Sequence, residues 1–134
     1  MRPPVKRETA LACEVAIVSA NPETLDGLQS YLSSAGVMAR CTRDVAACAQ
    51  TAHGATLAFV LFPDDFHWES VATAIADLRE LRPRALRVLV TSQPRRFQEL
   101  VTPENDVVVA RPAWGWTILD AIRAHVDLRG GRAR

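Results

Sequence analysis

The sequence predicts an α/β domain in which a parallel sheet is covered by helices on both faces. Five short runs rich in apolar and β-branched residues alternate with segments that repeat apolar residues at helical spacing. Strands separated by helices imply right-handed crossovers and parallel pairing. The chain has 134 residues, which is the length of one domain.

The first strand and helix are marked by local signals. Val15–Ser19 is a continuous apolar run, typical of a strand that is buried on both faces. Asn21 is a favourable N-cap, Pro22 suits the first helical position, and Glu23 complements the helix dipole. We expect the helix to end at Gly36. Its inward positions are Leu25, Leu28 and Leu32.

The second and third strands follow the same pattern. Val37–Thr42 predicts a strand, and Asp44 is expected to cap a short helix that runs to Ala52. Thr56–Phe62 is the most hydrophobic run and predicts a central strand. Pro63 should end that strand, because proline cannot donate to a central ladder.

The rest of the chain continues the alternation and completes the fold class. The expected elements are a helix at 69–81, a strand at 87–91, a short helix at 94–100, a strand at 106–110 and a helix at 114–128. Their inward helical positions are Val71, Ile75, Leu78 and Leu81, then Ile118, Leu119, Ile122 and Val126. Five such units suit a flavodoxin-like, doubly wound, five-stranded parallel sheet with strand order 2-1-3-4-5.

Composition and charge exclude several classes of protein. The formal net charge of +1 gives no general electrostatic reason to expect a nucleic acid or a membrane as partner. No apolar run approaches the ~20 residues of a membrane span, and the polar start lacks the core of a secretory signal, so we expect a cytoplasmic protein. The cysteines and histidines lack the spacing of disulfide frameworks or metal sites, so we expect buried free thiols and no metal. These residues are Cys13, Cys41, Cys48, His53, His67 and His125.

Three segments, in this order and spacing, resemble response-regulator receiver domains. The first, at 15–36, is a strand followed by a proline and a leucine-rich helix that ends in Ala-Gly. The second, at 87–92, is a strand that ends in Thr-Ser. The third, at 107–126, is a strand, a basic residue before a proline, and the last helix. The resemblance covers residues 14–128. It leaves an N-terminal extension at 1–13 and a flexible basic tail at 129–134.

The resemblance implies a fold that transfers a phosphoryl group from a phospho-histidine kinase to an aspartate. It implies two further acids that hold Mg²⁺, and a hydroxyl and a lysine that bind the phosphoryl oxygens. The two acids match Ser19 and Ala20, and the aspartate matches Leu61 or, one residue later, Phe62. The hydroxyl matches Thr91 and the lysine matches Arg111. An aromatic switch residue of the family matches Val108. Because the carboxylates are replaced, the sequence predicts a non-phosphorylatable pseudo-receiver with neither enzymatic activity nor a cofactor.

Two acids just beyond the third strand bear on this prediction. Pro63 precedes them, so we expect Asp64 and Asp65 to form a solvated loop pair in which Asp65 helps to turn the chain. Thr91 and Arg111 are expected either to hold an anion or to satisfy backbone carbonyls or a nearby acid such as Asp64. The resemblance also implies a cis peptide bond before Pro112.

Trp114 and Trp116 are the most unusual local feature. Positions two apart on a helix diverge by about 200°, so at least one indole should be partly exposed. We expect this surface to bind a protein, either an unidentified partner or a second copy through the last strand and helix. The alternative function is a flavodoxin-like small-molecule or nucleotide-binding domain with Ser19–Thr24 as the phosphate loop. The absence of glycine from that loop argues against it.

Overall fold

The computed structural model describes residues 14–51 and 56–130 and confirms the predicted fold class. The strands are β1 (Glu14–Val18), β2 (Met38–Thr42), β3 (Thr56–Leu61), β4 (Leu86–Thr91) and β5 (Asp106–Ala110). The helices are α1 (Pro22–Ser34), α2 (Cys48–Thr51), α3 (Trp68–Leu81) and α4 (Gly115–Gly130), and 3₁₀ segments cover Val45–Ala47, Pro63–Asp65 and Pro94–Leu100. All strand pairs are parallel, and the order is β2-β1-β3-β4-β5.

Each face of the sheet packs against its own set of helices. On one face, the apolar residues of α1 and α4 meet alternate residues of the central strands, such as Ile17, Val60 and Val88. On the other face, α2, α3 and the Pro94–Leu100 segment cover the intervening residues, such as Phe59 and Leu89. Burial on both faces explains why β1, β3 and β4 are mostly apolar, with Arg87 of β4 as a charged exception. No helix in the described ranges is long and apolar enough to cross a membrane.

The local signals act as predicted at the start of α1 and at the turn that follows it. The side chain of Asn21 accepts a hydrogen bond from the amide of Glu23, and Pro22 is the first helical residue. Gly36 has a φ of 86°, a left-handed conformation that favours glycine. Asp44 likewise accepts from the amide of Ala46 at the start of the next 3₁₀ turn.

Several predictions need correction. Leu81 is 56% exposed, because α3 ends there and turns it away from the sheet. Cys41 is half-buried on the edge strand β2, whereas Cys48 is buried as predicted. The last helix runs on to Gly130, so residues 129 and 130, predicted as the start of a flexible tail, are helical. Residues 131–134 lie outside the described residues. Cys13, His53 and the extension at 1–13 lie outside the described residues.

A buried ion pair joins the amino ends of β4 and β5. Arg87 and Asp106 are in register, and the Nε of Arg87 donates to the Asp106 carboxylate. The side chains are 3% and 1% exposed. Asp106 also accepts from the amide of Thr102 at 2.5 Å and from its hydroxyl at 3.2 Å, and it lies 3.6 Å from the Nη2 of Arg79.

Candidate functional site at the carboxyl edge of the sheet

The candidate site lies where the carboxyl ends of four neighbouring strands meet. Ser19 follows β1, the Asp64–Asp65 pair follows β3, Thr91 ends β4, and Arg111 follows β5. Open α/β sheets bind their ligands at this edge. The topology therefore brings together residues that are far apart in the sequence.

The carboxylate of Asp64 is held by donors from the end of β4. The Thr91 hydroxyl donates to Oδ1 at 2.6 Å, and the amide and hydroxyl of Ser92 donate to Oδ2 at 2.8 and 2.9 Å. The Nη1 of Arg111 lies 3.5 Å from the same Oδ2. Asp64 is thus the nearby acid that Thr91 and Arg111 contact. It is a solvent-exposed loop residue, as expected, and it also accepts these hydrogen bonds.

The ionised form of Asp64 is favoured by these contacts. Partial burial raises the pKa of its carboxyl, but the hydrogen bonds from Thr91 and Ser92 and the positive charge of Arg111 outweigh it. The pKa of Asp64 therefore lies below its ordinary value. A negative charge is built into the chain at this point of the edge.

Asp65 accepts hydrogen bonds from the two residues that follow β1. Its Oδ2 accepts from the Ser19 hydroxyl at 2.5 Å and from the amide of Ala20 at 3.0 Å. Asp65 therefore ties two loops together rather than simply turning its own, which corrects the expectation from sequence. The 3₁₀ turn that starts at Pro63 directs the two neighbouring carboxylates to opposite strand neighbours.

The side chains near Ser19 do not fit the magnesium site that the resemblance implies. Mg²⁺ takes oxygen ligands in near-octahedral geometry, usually including carboxylates. Here Ala20 offers no side-chain oxygen, and the Asp65 carboxylate already accepts two hydrogen bonds through Oδ2. Within residues 14–51 and 56–130, no three His, Cys, Asp or Glu side chains gather as a metal-binding group.

Phe62, rather than Leu61, is the residue of this region that faces the cation. The guanidinium of Arg111 lies 5.8 Å from the centre of the Phe62 ring. Leu61 packs on the opposite face of the sheet, in the cluster that also includes half-buried Val108. The alignment that places the acceptor position at Phe62 therefore agrees better with the contact to Arg111. In either alignment the residue at the acceptor position is apolar.

Three amides of the Ser19–Thr24 loop already donate to side chains of the protein. The amide of Ala20 donates to Asp65, that of Asn21 to the Ser19 hydroxyl at 3.0 Å, and that of Glu23 to the Asn21 side chain at 2.9 Å. A phosphate loop needs such amides to point at the ligand. This arrangement therefore argues against the phosphate-loop reading of the segment.

The residues after β5 have the conformation that the resemblance implies. The Arg111–Pro112 peptide bond is cis. Trp114 and Trp116 are 64% and 56% exposed, which confirms that at least one indole is exposed and shows that both are. Gly115 between them packs closely on the Tyr31 ring of α1, which a Cβ at Gly115 would approach to 2.9 Å.

Sequence reasoning missed two parts of this edge. Ser92 supplies two of the hydrogen bonds to Asp64. The Thr-Ser pair at the end of the strand was the sequence feature that could have pointed to Ser92. The rings of Trp68 and Phe97 are in tilted contact, with centres 5.2 Å apart and planes at 43°. The guanidinium of Arg96 lies 4.4 Å from the centre of the Trp68 ring. No spacing rule links these residues, because they come from α3 and from the 3₁₀ segment after β4.

Of the histidines, two lie in the described ranges. His67 is exposed at the N-cap of α3. His125 is buried on α4, and its Nε2 lies 3.2 Å from the carbonyl oxygen of Arg84. Their surroundings differ, so they do not form a shared site.

Comparison with solved structures identifies the fold as that of response-regulator receiver domains. A receiver protein from Sinorhizobium medicae has a TM-score of 0.75 at 13% identity, covering 88% of this chain and 97% of that one. A receiver domain protein from Clostridium thermocellum gives 0.77 at 9%, with the same coverage. A CheY-like receiver domain from Methanospirillum hungatei gives 0.74 at 13%, covering 90% and 98%. No protein-family model and no curated protein sequence matches this chain.

Proposed function

We propose that this chain is a receiver-like signalling module that is not phosphorylated and that acts by binding a protein. The observation that carries the proposal is the position of the Asp64 carboxylate. The resemblance assigns a hydroxyl and a cation at this edge to the oxygens of a phosphoryl group. Here Thr91 and Arg111 contact an anion that belongs to the chain itself.

Two further features support the absence of phosphorylation. Phe62 and Leu61, the two candidates for the acceptor position, have no nucleophilic atom. Ser19 and Ala20 stand in place of the acids that hold Mg²⁺ in the family.

The test is treatment of the full chain with acetyl phosphate and Mg²⁺, followed by intact mass measurement. We expect no phosphoryl adduct, while a phosphorylatable receiver domain treated in parallel gains one. The Asp64→Asn and Asp65→Asn variants locate the modified residue if the parent does react. An adduct that disappears in either variant would show that a loop carboxylate has taken over the acceptor role, and the proposal would be wrong.

The protein-binding part of the proposal concerns Trp114 and Trp116. Large apolar side chains at this level of exposure are enriched at the centres of protein interfaces. An interface anchor replaced by alanine should cost at least ~2 kcal/mol of binding while the fold remains intact. A packing residue would instead cost roughly 3–5 kcal/mol of stability.

Melting and association of the two single Trp→Ala variants separate these roles. Met38→Ala is the matched control, because Met38 is 63% exposed and lies on β2, at the edge of the sheet remote from β5. We expect both tryptophan variants to melt close to the parent and to lose association, whether with a second copy or with a captured partner. Parent-like association in both variants, or heavy loss of stability in both, contradicts the interface.

A further inference from the structure

A groove of about 480 Å³ opens at the carboxyl edge of the sheet, between α1 and the start of α4. Buried apolar side chains from the edge of the sheet and from α4 line it, namely Phe62, Val90 and Ile118. Open α/β sheets bind their ligands at this edge, and pockets for small molecules typically measure ~300–1,000 Å³. The groove therefore has the position and the size of a small-molecule site.

Small residues leave room in the groove beside aromatic rings. Gly27 of α1 lines it, and a Cβ built at Gly27 meets no atom within 4 Å. Gly115 lets the Tyr31 ring come close, since a Cβ at Gly115 would approach that ring to 2.9 Å. Tyr31 also lines the groove and is 39% exposed. A flat apolar ligand thus finds two rings to pack against, those of Tyr31 and Phe62.

The groove also carries one charged side chain of each sign, Arg111 and Glu23. The Nη1 of Arg111 lies 3.5 Å from Asp64, and within the described part of the chain its guanidinium makes no hydrogen bond. Glu23 is exposed in the first turn of α1, and its carboxylate has no partner among the described residues. Both charged groups are therefore available to a ligand.

The chemistry of the lining selects among ligands. The carboxylates of Glu23 and Asp64 offset the charge of Arg111, so the groove has no surplus of positive charge with which to attract a phosphate. A single carboxylate fits the planar fork of the guanidinium, and an ammonium group is complementary to Glu23. A complementary ligand therefore has an apolar body, one carboxylate and one ammonium group, which is the composition of an amino acid with a large apolar side chain.

We propose that this groove binds a free amino acid with an aromatic side chain. Its carboxylate pairs with Arg111, its ammonium group pairs with Glu23, and its ring packs against Phe62 and Tyr31. The site goes beyond the proposed function, because its occupancy requires neither phosphorylation nor a protein partner.

NMR titration of the isotope-labelled full chain with phenylalanine tests this directly. We expect saturable shifts of the Gly27 and Gly115 amides, with a dissociation constant of roughly 0.1–5 mM for so small a ligand in an open groove. Phenylpropanoate and phenylethylamine keep the ring but each lack one charge, so each should bind at least ~5-fold more weakly. Alanine has both charges but no ring, and it should cause no saturable shift.

Two charge variants assign the ends of the ligand. Arg111→Gln should weaken phenylalanine binding at least ~5-fold without weakening phenylethylamine, which has no carboxylate. Glu23→Gln should do the same without weakening phenylpropanoate, which has no ammonium group. Asp26→Asn is the matched control for Glu23→Gln, because Asp26 is exposed on the same helix and does not line the groove. It should bind phenylalanine like the parent.

Gly27→Leu tests the groove itself. The added side chain fills the space that the ligand needs, so all three aromatic ligands should lose their binding. Ser30→Leu is the control, since Ser30 is exposed on α1 and does not line the groove. It should leave binding unchanged.

Three results would overturn this inference. A parent with no saturable shift in phenylalanine would show that the groove is not such a site. Phenylpropanoate or phenylethylamine bound as tightly as phenylalanine would refute the assignment to an amino acid. Parent-like binding by Gly27→Leu would place the ligand outside the groove. The acetyl phosphate and tryptophan tests give separate readouts, so failure here leaves the proposed function standing.

Discussion

Replacing Asp106 by alanine would leave the Arg87 guanidinium buried without its counter-charge. The two side chains are 1% and 3% exposed, so water cannot readily take the place of the carboxylate. The substitution also removes the acceptor of the Thr102 amide and hydroxyl. Arg79 is 36% exposed, so water can still solvate its guanidinium and the loss of its contact with Asp106 costs little stability.

The expected cost follows from this burial. Removing one partner of a buried ion pair typically costs about 3–5 kcal/mol, because the remaining charge is desolvated. Domains are stable by about 5–15 kcal/mol in total, so Asp106→Ala should remove a large share of the free energy of unfolding. For a chain of this length, that corresponds to a fall in Tm of roughly 10–20 °C.

Urea denaturation followed by circular dichroism measures the effect. Asp120→Ala, which removes a carboxylate from an exposed position of α4, should change the free energy of unfolding by less than about 0.5 kcal/mol. The double variant Arg87→Met/Asp106→Leu removes both charges and should recover most of the loss. A single variant within about 1 kcal/mol of the parent, or a double variant as unstable as the single one, would refute this reasoning.

Three further predictions concern single residues. The contacts of Asp64 lower its pKa, so its ionised form stabilises the folded protein. This contribution is fully present above the pKa of the unfolded chain, ~3.9, and is lost as the pH falls through the lower pKa of the folded protein. Asp64→Asn should remove this acid dependence of stability, as measured by urea denaturation at pH values from 2 to about 6. Burial and the nearby carboxylates raise the pKa of Cys48 to about 11. At pH 8, iodoacetamide should therefore label Cys48 far more slowly than the half-buried Cys41, as measured by peptide mass mapping. Equal labelling rates would contradict this. Gly27→Ala should raise the free energy of unfolding by about 0.5–1 kcal/mol in thermal melts, since the added methyl meets no atom within 4 Å, and a destabilised variant would contradict it.

The fold was predictable because its signals are local. The cap at Asn21, the turn at Gly36 and the continuous apolar run of β3 each act within a few residues of the chain. The strand bounds accordingly differ from the predicted ones by at most one residue at either end, and those of β5 are the same.

The candidate site was harder to predict because its contacts are not local. Asp64 lies 27 residues from Thr91 in the sequence, and Asp65 lies 46 residues from Ser19. Which neighbour each carboxylate reaches depends on the 3₁₀ turn after β3, and adjacent acids in a loop carry no sign of it. The pairing of Arg87 with Asp106 has the same origin, because the register of parallel strands is set by the whole sheet.

The short turn at Pro63–Asp65 also couples the motions of two distant amides. The amide of Ala20 donates to Asp65, and the amide of Ser92 donates to Asp64. Both protons are therefore hydrogen-bonded to neighbouring carboxylates of one turn, although they belong to loops on either side of β3. A single fluctuation that lifts this turn exposes both, so their hydrogen–deuterium exchange rates should rise and fall together.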